Sequence, residues 1–521
     1  MKFAGSAATG KPIKSMAFLC LFLSIPARMN QKLAKAQAVL PISHPRQVVS
    51  ETSPQVGKLD VPICPAQLGS AIDAIANRPE FQRSRWGVLL QTLSPASNQT
   101  LYARDAQRYF LPASNAKLLT TAAALHKLGP QFRIRTAGYG INSGPRLPAL
   151  RIVGHGDPSL TDIQLKNLAQ QLSHRGIRQI GQLIGDDHYF RGPTINPSWE
   201  VADVQSGDGT PVNSLILNQN ILELKLSPQA LGQPLQVEWS EPMAANPWQI
   251  ENTSRTVRSA EPEFVDVRRD LEKPIVRIAG QLNVGAEPDS EVVPLLDPAE
   301  YFLQHFRQAL AANQISVRQT FLAPASPTQK EPEELVAVES PPLSNLVREA
   351  NQESNNLYAE ALLRTLGATR PSSATDANST AEIGLEVVKA TLTSLGVDPK
   401  SYVQVDGSGL SRHNLVSPEA LVQTLKVMAQ SPEAEAYQTS LPIAGISGTL
   451  QNRFQQTQAQ GILQAKTGTL RGVAALSGYL NSPDFLPLVF SILVNGSDQS
   501  GSQLRQAIDE MVLLLTRLRS C

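Results

Sequence analysis

Short apolar runs and amphipathic stretches alternate along most of this 521-residue chain. Early in the patterned part, two apolar-rich runs at 87–93 and 100–110 predict strands, and the residues PASN at 95–98 between them are typical of a hairpin turn. An Ala- and Leu-rich run at 115–128 then predicts a helix that ends before a Gly-Pro pair. An amphipathic stretch that begins near Gln67 predicts a helix ahead of both strands.

The pattern changes between residues 144 and 334, where strand-like runs alternate with turns that contain Pro and Gly. Two amphipathic stretches in this region, 163–174 and 298–312, predict helices. The predicted strands are 151–153, 182–184, 221–226 and 276–278. We interpret the region as a mixed α/β insertion and expect it to contain two subdomains.

Helical periodicity returns from about residue 335. The predicted helices are 343–350, 355–366, 381–395, 418–428 and 502–518, and three strands are predicted before the last helix at 461–465, 473–480 and 486–494. Together with the first strand pair they predict one mixed α/β domain, in which helices flank an antiparallel sheet. This domain comprises residues 63–143 and 335–521, and the insertion at 144–334 interrupts it.

The N-terminal part of the chain has no such periodicity. Basic residues precede an apolar run at 17–25, which is too short to cross a membrane but suits a secretory signal. We expect a signal peptide at 1–38, a Pro-rich linker at 39–62 and an exported protein of the periplasm or cell envelope. A disordered basic leader is the alternative.

Composition and charge narrow the range of partners. Hydrophobic residues make up 41% of the chain and charged residues 17%, which is typical of a globular protein. The formal net charge of +1 provides no overall field for nucleic acid or for an anionic membrane. We therefore expect no nucleic-acid partner and at most peripheral membrane contact, and the sequence does not indicate an oligomeric state.

The chain has three cysteines, Cys20, Cys64 and Cys521. Removal of the leader would leave two of them, an even number in an oxidising compartment. Cys64 and Cys521 could form a disulfide if the first and last helices of the mature protein lie side by side. Two unpaired thiols remain the alternative at this point.

One tetrapeptide carries a candidate nucleophile. Ser114 and Lys117 begin the predicted helix at a spacing of three residues, so their side chains lie on one face. A serine hydroxyl needs a base to become a nucleophile, and burial near another cation lowers the pKa of a lysine enough for it to serve. The alternative is an ordinary helix cap followed by a surface lysine.

Two further motifs fit the same chemistry. Ser354 and Asn356 form the sole S-x-N sequence, and Lys466, Thr467 and Gly468 form the sole K-T-G. The serine could relay a proton to a leaving amine, and the asparagine could bind a substrate amide. The lysine could hold a carboxylate and lower the pKa of the first lysine, and the glycine would let substrate backbone approach the strand. Each motif alone has a structural explanation, but the order S-x-x-K, S-x-N, K-T-G is that of serine enzymes that recognise penicillin.

From about residue 65 onwards the chain resembles the D-alanyl-D-alanine carboxypeptidase/endopeptidase family, the low-molecular-mass class C penicillin-binding proteins. The serines of the first two motifs are 354 − 114 = 240 residues apart, a spacing that reflects the long insertion of this family. Further similar stretches are ASNAKLLTTAAAL at 113, GDPSL at 156, GDDHYF at 185, DPAEYF at 297, VDGSGLSRHNLVS at 405 and AKTGTLRGVAALSGYL at 465.

The resemblance implies a serine-type hydrolase that acts on peptidoglycan peptides through an acyl-enzyme and is inhibited covalently by β-lactams. Its oxyanion hole would use the backbone N–H groups of Ser114 and Thr469, and Thr467 and Thr469 would help to bind the substrate carboxylate. Three further positions would contact the side chain of the diamino acid in the substrate: Asp186, Phe190 and Arg412. Asp186 could equally be a turn residue. Arg471 is a departure, because relatives often carry a smaller or uncharged residue there.

Two other functions remain open at this point. A dedicated β-lactamase would need a rapid deacylation base, and its compact helical domain has no large insertion. A non-catalytic peptidoglycan-binding protein would be expected to lose Ser114, Lys117 or Lys466. The seven histidines are scattered and the sequence has no H-E-x-x-H, G-x-S-x-G or paired C-x-x-C motif, so we expect neither a metal nor a cofactor.

Overall fold

The computed structural model describes residues 61–94, 99–141, 144–242, 246–324, 333–370 and 378–521. The predicted signal peptide, nearly all of the predicted linker at 39–62 and the predicted turn at 95–98 lie outside these residues. Within them, no helix is both long and apolar enough to cross a membrane.

Residues 63–143 and 335–521, which carry the three motifs, are called the catalytic segments below. A five-stranded antiparallel sheet forms their centre, in the strand order β17-β18-β19-β1-β2. The first segment contributes helices α1 (Pro65–Ala76) and α2 (Lys117–Leu128) and strands β1 (Arg85–Thr92) and β2 (Thr100–Arg104). The last segment contributes helices α6 (Leu343–Gln352), α7 (Asn356–Ala368), α8 (Thr380–Ser394), α9 (Pro418–Ala429), α10 (Ala434–Thr439) and α11 (Gly501–Leu515). Its strands are β15 (Tyr402–Val403), β16 (Leu415–Val416), β17 (Leu463–Leu470), β18 (Val473–Leu480) and β19 (Leu488–Asn495).

Both faces of this sheet are buried. Successive side chains of a strand point to opposite faces. In β18, Ala474 and Leu476 belong to the core under α1 and α11. Ala475 and Tyr479 belong to the core on the other face, which includes α2 and α6 to α10; we call these helices the helical block. Helix α2 lies inside that block, and each of its residues from Lys117 to Leu125 is buried. The mixed α/β fold with helices around an antiparallel sheet is therefore confirmed.

The inserted region has two hydrophobic cores. Its helices are α3 (Asp162–His174), α4 (Val201–Gln205) and α5 (Pro298–Ala312). Its strands are β3 (Arg135–Gly140), β4 (Arg146–Val153), β5 (Gln179–Asp186), β6 (Ile221–Ser227), β7 (Gln236–Trp239), β8 (Gln249–Asn252), β9 (Arg255–Val257), β10 (Phe264–Arg269), β11 (Ile275–Asn283), β12 (Asp289–Pro294), β13 (Ser316–Leu322) and β14 (Glu333–Glu339).

The largest sheet of the inserted region has the order β13-β5-β4-β3-β14. Strand β3 pairs with both β4 and β14, so the sheet begins at Arg135 and ends at Glu339. The predicted insertion limits of 144 and 334 fall inside this sheet, because local turn signals do not show that β3 and β14 pair with each other. The smaller sheets, β12-β6-β7 and β10-β11-β8 with β9 beside β11, surround the second core.

The two ends of the described chain lie together. Cys64 and Cys521 form a disulfide across a sequence separation of 457 residues. Ile63 N donates to Arg517 O at 2.9 Å, and Arg519 N donates to Ile63 O at 3.1 Å. Helices α1 and α11 pack side by side, which is the arrangement that this pairing requires.

Candidate active site

The candidate nucleophile lies on a short turn at the start of the central helix. Residues Ala113–Ala116 form a 3-10 turn that runs directly into α2 at Lys117, two residues after the predicted helix start. Ala113 has a φ of 48°, a region that non-glycine residues seldom adopt and that clusters at functional sites. The turn places Lys117 Nζ 3.0 Å from Ser114 Oγ.

Lys117 is fully buried and joins the first two motifs. Its Nζ donates to Asn356 Oδ1 at 2.6 Å and to the backbone oxygen of Ser408 at 2.8 Å. Burial lowers the pKa of this lysine to about 8, against the opposing charges of Asp406, Glu360 and Asp208. A lysine with such a pKa can act as a base at neutral pH.

The second motif lies at the junction between α6 and α7. Ser354 has a φ of 58°, and its Oγ accepts a hydrogen bond of 2.9 Å from Lys466 Nζ. Asn356 is the first residue of α7, and its Nδ2 donates to the backbone oxygen of Asp208 at 3.0 Å. The inserted region therefore supports this asparagine directly.

The third motif lies on β17, the edge strand of the central sheet. Lys466 is fully buried, and both burial and the charge of Lys117 lower its pKa well below the ordinary value, while Glu353 opposes them. Thr469 on the same strand is exposed. Thr467 is half-buried, and its Oγ1 lies 2.7 Å from Thr449 Oγ1. The three motifs thus meet in one place. Lys117 contacts both Ser114 and Asn356, and Lys466 contacts Ser354, which belongs to the same motif as Asn356.

Gly468 makes a close contact that the sequence did not reveal. A Cβ at this position would lie 2.7 Å from Pro112 O, 2.9 Å from Asn115 Nδ2 and 3.2 Å from Ala113 Cβ. The glycine therefore lets β17 pack against the turn that carries the nucleophile. The sequence did not indicate this contact, because it does not show which residues from a distant part of the chain pack against a strand. That Gly468 also lets substrate backbone approach the strand stays a prediction.

The model of the D-Ala-D-Ala carboxypeptidase 3 (S13) family matches residues 68–518. The chain belongs to this family. A D-alanyl-D-alanine carboxypeptidase of Actinomadura sp. (strain R39) is 31% identical over 447 residues, which are 82% of this chain and 81% of the relative. The resemblance drawn from the motifs is confirmed, and the chain is a serine-type D-Ala-D-Ala carboxypeptidase of the S13 family.

Solved structures show the same fold. The crystal structure of penicillin binding protein 4 (dacB) from Haemophilus influenzae has 25% sequence identity to this chain and a TM-score of 0.72, and covers 85% of this chain and 98% of its own. A structure of that protein complexed with a β-lactam has 24% identity and a TM-score of 0.68, and covers 87% of this chain and 99% of its own.

In this S13 chain, the sequence analysis missed two buried carboxylates beside Lys117. Glu360 Oε1 accepts from Ser408 N at 2.8 Å, and burial together with the charge of Asp406 raises the pKa of Glu360 to about 7. Asp406 is completely buried. The stretch VDGSGLSRHNLVS contains Asp406 and Ser408, so a signal was present, but the sequence did not indicate that the loop reaches Lys117.

The three residues that the resemblance assigned to the substrate side chain each have a partner within the protein. Asp186 lies at the end of β5, where Arg151 Nε donates to it at 2.8 Å and His188 N at 3.0 Å. Phe190 is buried and packs over Gly156. Arg412 Nε lies 3.0 Å from the carboxylate of Glu200. Their role in substrate binding stays a prediction.

A pocket next to the second motif has walls from both parts of the chain. Glu353, Ser354 and Asn356 line it on the catalytic side, and Asp208 and Gln219 line it from the inserted region. Asn355 Nδ2 donates to Gln219 Oε1 at 2.7 Å, which fixes the inserted region against the start of α7. The inserted region of this S13 enzyme therefore lines the pocket beside the second motif.

Proposed function

We propose that the enzyme removes D-alanine from peptidoglycan stem peptides, and cleaves D-alanyl cross-links, with Ser114 as nucleophile and Lys117 as its base. The observation that carries the proposal is the 3.0 Å contact between Lys117 Nζ and Ser114 Oγ. The amine is also fully buried, and burial favours the neutral form that can accept the proton of the serine. With a pKa of about 8, roughly one lysine in ten is neutral at pH 7 and can accept the proton.

In the acylation step, neutral Lys117 takes the proton of Ser114 while Oγ bonds to the carbonyl carbon of the penultimate D-Ala. The peptide C–N bond breaks, and the leaving nitrogen takes the proton from the ammonium of Lys117 through the hydroxyl of Ser354. Water then hydrolyses the ester, which releases the shortened peptide and restores the hydroxyl of Ser114. A β-lactam carbonyl enters the same step, but its leaving nitrogen stays tethered to the acyl group.

The strand that carries the third motif binds the substrate. Lys466, Thr467 and Thr469 hold the terminal carboxylate, and that negative charge favours the charged form of the buried lysine. The backbone N–H groups of Ser114 and Thr469 stabilise the oxyanion. Asn356 keeps a second amide hydrogen for the substrate, because its Oδ1 binds Lys117 and one N–H binds Asp208 O.

We also propose that three residues recognise the side chain of the diamino acid in the substrate. These are Asp186, Phe190 and Arg412, as the family resemblance implies. Asp186 and Phe190 lie in the inserted region, which lines the pocket beside Ser354, and Arg412 belongs to the loop whose Ser408 backbone oxygen binds Lys117.

The test is incubation of the purified enzyme with cross-linked muropeptides, followed by mass analysis of the products. Loss of terminal D-alanine and cleavage of cross-links are expected for the wild type, and neither for Ser114→Ala. Rapid turnover of penicillin without peptide cleavage would favour a β-lactamase instead. Binding of muropeptides without any product would favour a non-catalytic binding protein.

We also propose that the enzyme works outside the cytoplasm, in the periplasm or cell envelope. The apolar run at 17–25 and the Cys64–Cys521 disulfide support this location, because disulfides persist in oxidising compartments. Cell fractionation and N-terminal sequencing of the mature protein test it, with a new N-terminus after Ala38 as the expected result. A full-length protein retained in the cytoplasm would contradict it.

A further inference from the structure

A segment of the inserted region is hydrogen-bonded to the loop that binds the catalytic lysine. We call residues 193–200 the docking segment and residues 405–414 the catalytic loop. Asn196 Nδ2 donates to Val405 O at 3.0 Å, and Ser198 Oγ donates to Ser411 Oγ at 2.8 Å. Trp199 Nε1 donates to the carboxylate of Asp406 at 3.0 Å. The indole is nearly buried, so water does not readily replace this bond.

Asp406 organises the catalytic loop. Its Oδ1 accepts from Gly409 N at 2.7 Å and from Asn414 Nδ2 at 2.8 Å, and its Oδ2 accepts from Ser411 N at 2.7 Å. These three donors belong to the loop itself, whereas the fourth donor, Trp199, comes from the docking segment. Hydrogen bonds to a buried carboxylate are among the strong ones, so this set fixes the shape of the loop.

The catalytic loop in turn contacts Lys117 and packs against the turn that carries Ser114. The backbone oxygen of Ser408 accepts from Lys117 Nζ at 2.8 Å. A Cβ on Gly409 would lie 1.9 Å from the backbone oxygen of Ala113, the residue before Ser114. A shift of the loop would therefore move an acceptor of the base and press on the turn that carries the nucleophile.

We propose that Trp199 and Asp406 are positioning residues for the acylation step, so that the inserted region takes part in the chemistry of the catalytic segments. The inference rests on the proposed roles of Ser114 and Lys117. It extends them, because it makes the rate of acylation depend on a hydrogen bond outside the three motifs. A displacement of about 1 Å in a catalytic group can cost as much as 10²-fold in rate.

The first test is Trp199→Phe, which removes the N–H but keeps an aromatic ring against Val204 and Leu410. We expect kcat for D-alanine release and the acylation rate constant with a β-lactam to fall together, by about tenfold or more. KM should stay within about twofold, because the variant leaves the residues that bind the carboxylate in place.

The matched control is Trp86→Phe. Both indoles are buried, since Trp86 is 1% exposed and Trp199 is 8% exposed. Within the described residues Trp86 Nε1 has no acceptor, so this variant loses a similar volume without losing a hydrogen bond. It lies in the core under α1 and α11, on the opposite side of the central sheet from the helical block. We expect it to lower the thermal unfolding midpoint but to leave acylation within about twofold of the wild type.

A second variant, Asn196→Asp, tests the same junction with little change in volume. Its carboxylate can still accept from Ser198 N and Oγ, at 3.0 and 2.7 Å in the wild type, but it can no longer donate to Val405 O. We expect acylation to slow by about three- to tenfold at unchanged KM.

The inference is overturned if folded Trp199→Phe and Asn196→Asp both acylate within twofold of the wild type. It is also overturned if Trp86→Phe slows acylation as much as Trp199→Phe does. Failure of the wild type itself to form an adduct at Ser114 is a different result, because it would contradict the proposed function first.

Discussion

At the residue scale, the chemistry depends on the protonation of two buried lysines. Lys117 and Lys466 are both fully buried, and each has a pKa below the ordinary lysine value because burial disfavours the charged form. The negative charges of Asp406, Glu360 and Asp208 favour the charged form of Lys117 and so limit how far its pKa is lowered. Lys117 is therefore partly neutral near physiological pH, as the proposed mechanism requires.

A pH profile follows from the pKa of Lys117, which is about 8. Lys117 acts as a base in its neutral form, so the acylation rate should rise as pH increases towards 8 and level off above it. Stopped-flow measurement with a chromogenic β-lactam between about pH 6 and pH 10 checks this. A rate that is flat over that range would show that another group accepts the proton.

Single residues also show how far the sequence could predict the site. The motif residues Ser114, Lys117, Ser354 and Lys466 meet as predicted from their order, because each motif has a recognisable local pattern. Asp406 lies in the stretch VDGSGLSRHNLVS, but that stretch does not show what Asp406 binds. Its importance comes from four donors, one of which lies more than 200 residues away, and a single sequence does not reveal such a contact.

At the element scale, the close packing of β17 against the turn at Ala113–Ala116 sets the geometry of the site. We expect Gly468→Ala to lower acylation by about 10- to 100-fold, because its Cβ would meet the backbone oxygen of Pro112 at 2.7 Å and push the strand away. Rates of β-lactam adduct formation, together with thermal unfolding, check this.

Gly501→Ala is the matched control for that variant. Its Cβ would meet mainly Arg505 Nη1 at 3.3 Å, the end of a flexible side chain, so activity should be retained. If Gly468→Ala acylates as fast as Gly501→Ala, the strand is not held against the nucleophile turn as described.

Hydrophobic periodicity predicted that a helix or strand is present better than it predicted the residues at which the element begins and ends. The helix at 298–312 and the strand at 473–480 have the predicted bounds. The helix predicted from 115 begins instead at Lys117, because residues Ala113–Ala116 form the tighter turn that orients Ser114. Such a turn is set by tertiary contacts with β17 and is not visible in the hydrophobic pattern.

At the scale of the whole molecule, the disulfide ties the first helix of the described chain to the C-terminal residue. Replacing Cys64 and Cys521 together by serine should lower stability by about 2–4 kcal/mol, because the link restricts the unfolded chain. Calorimetry should show a lower unfolding midpoint, while kcat at moderate temperature stays the same, since α1 and α11 pack on the sheet face away from the helical block. An unchanged midpoint would contradict this role.

The pattern of hydrophobic positions predicts an inserted region at 144–334, and the largest sheet of that region extends beyond both limits. Strand β3 lies wholly within a segment assigned to the catalytic domain, and most of β14 does too. Local turn signals determined the predicted limits, whereas β3 and β14 pair across about 200 residues of sequence, and a single sequence does not show such a pairing.

The central claim is that Lys117 activates Ser114, and intact-protein mass spectrometry during reaction with a β-lactam tests it most directly. Lys117→Met keeps the bulk of the side chain and removes the amine, and Lys426→Met is the control, because Lys426 binds Gln91 and belongs to none of the motifs. The account predicts that the wild type and Lys426→Met gain the adduct mass at equal rates, whereas folded Lys117→Met does so about 10²- to 10⁴-fold more slowly. Adduct formation by Lys117→Met at the wild-type rate would contradict the account.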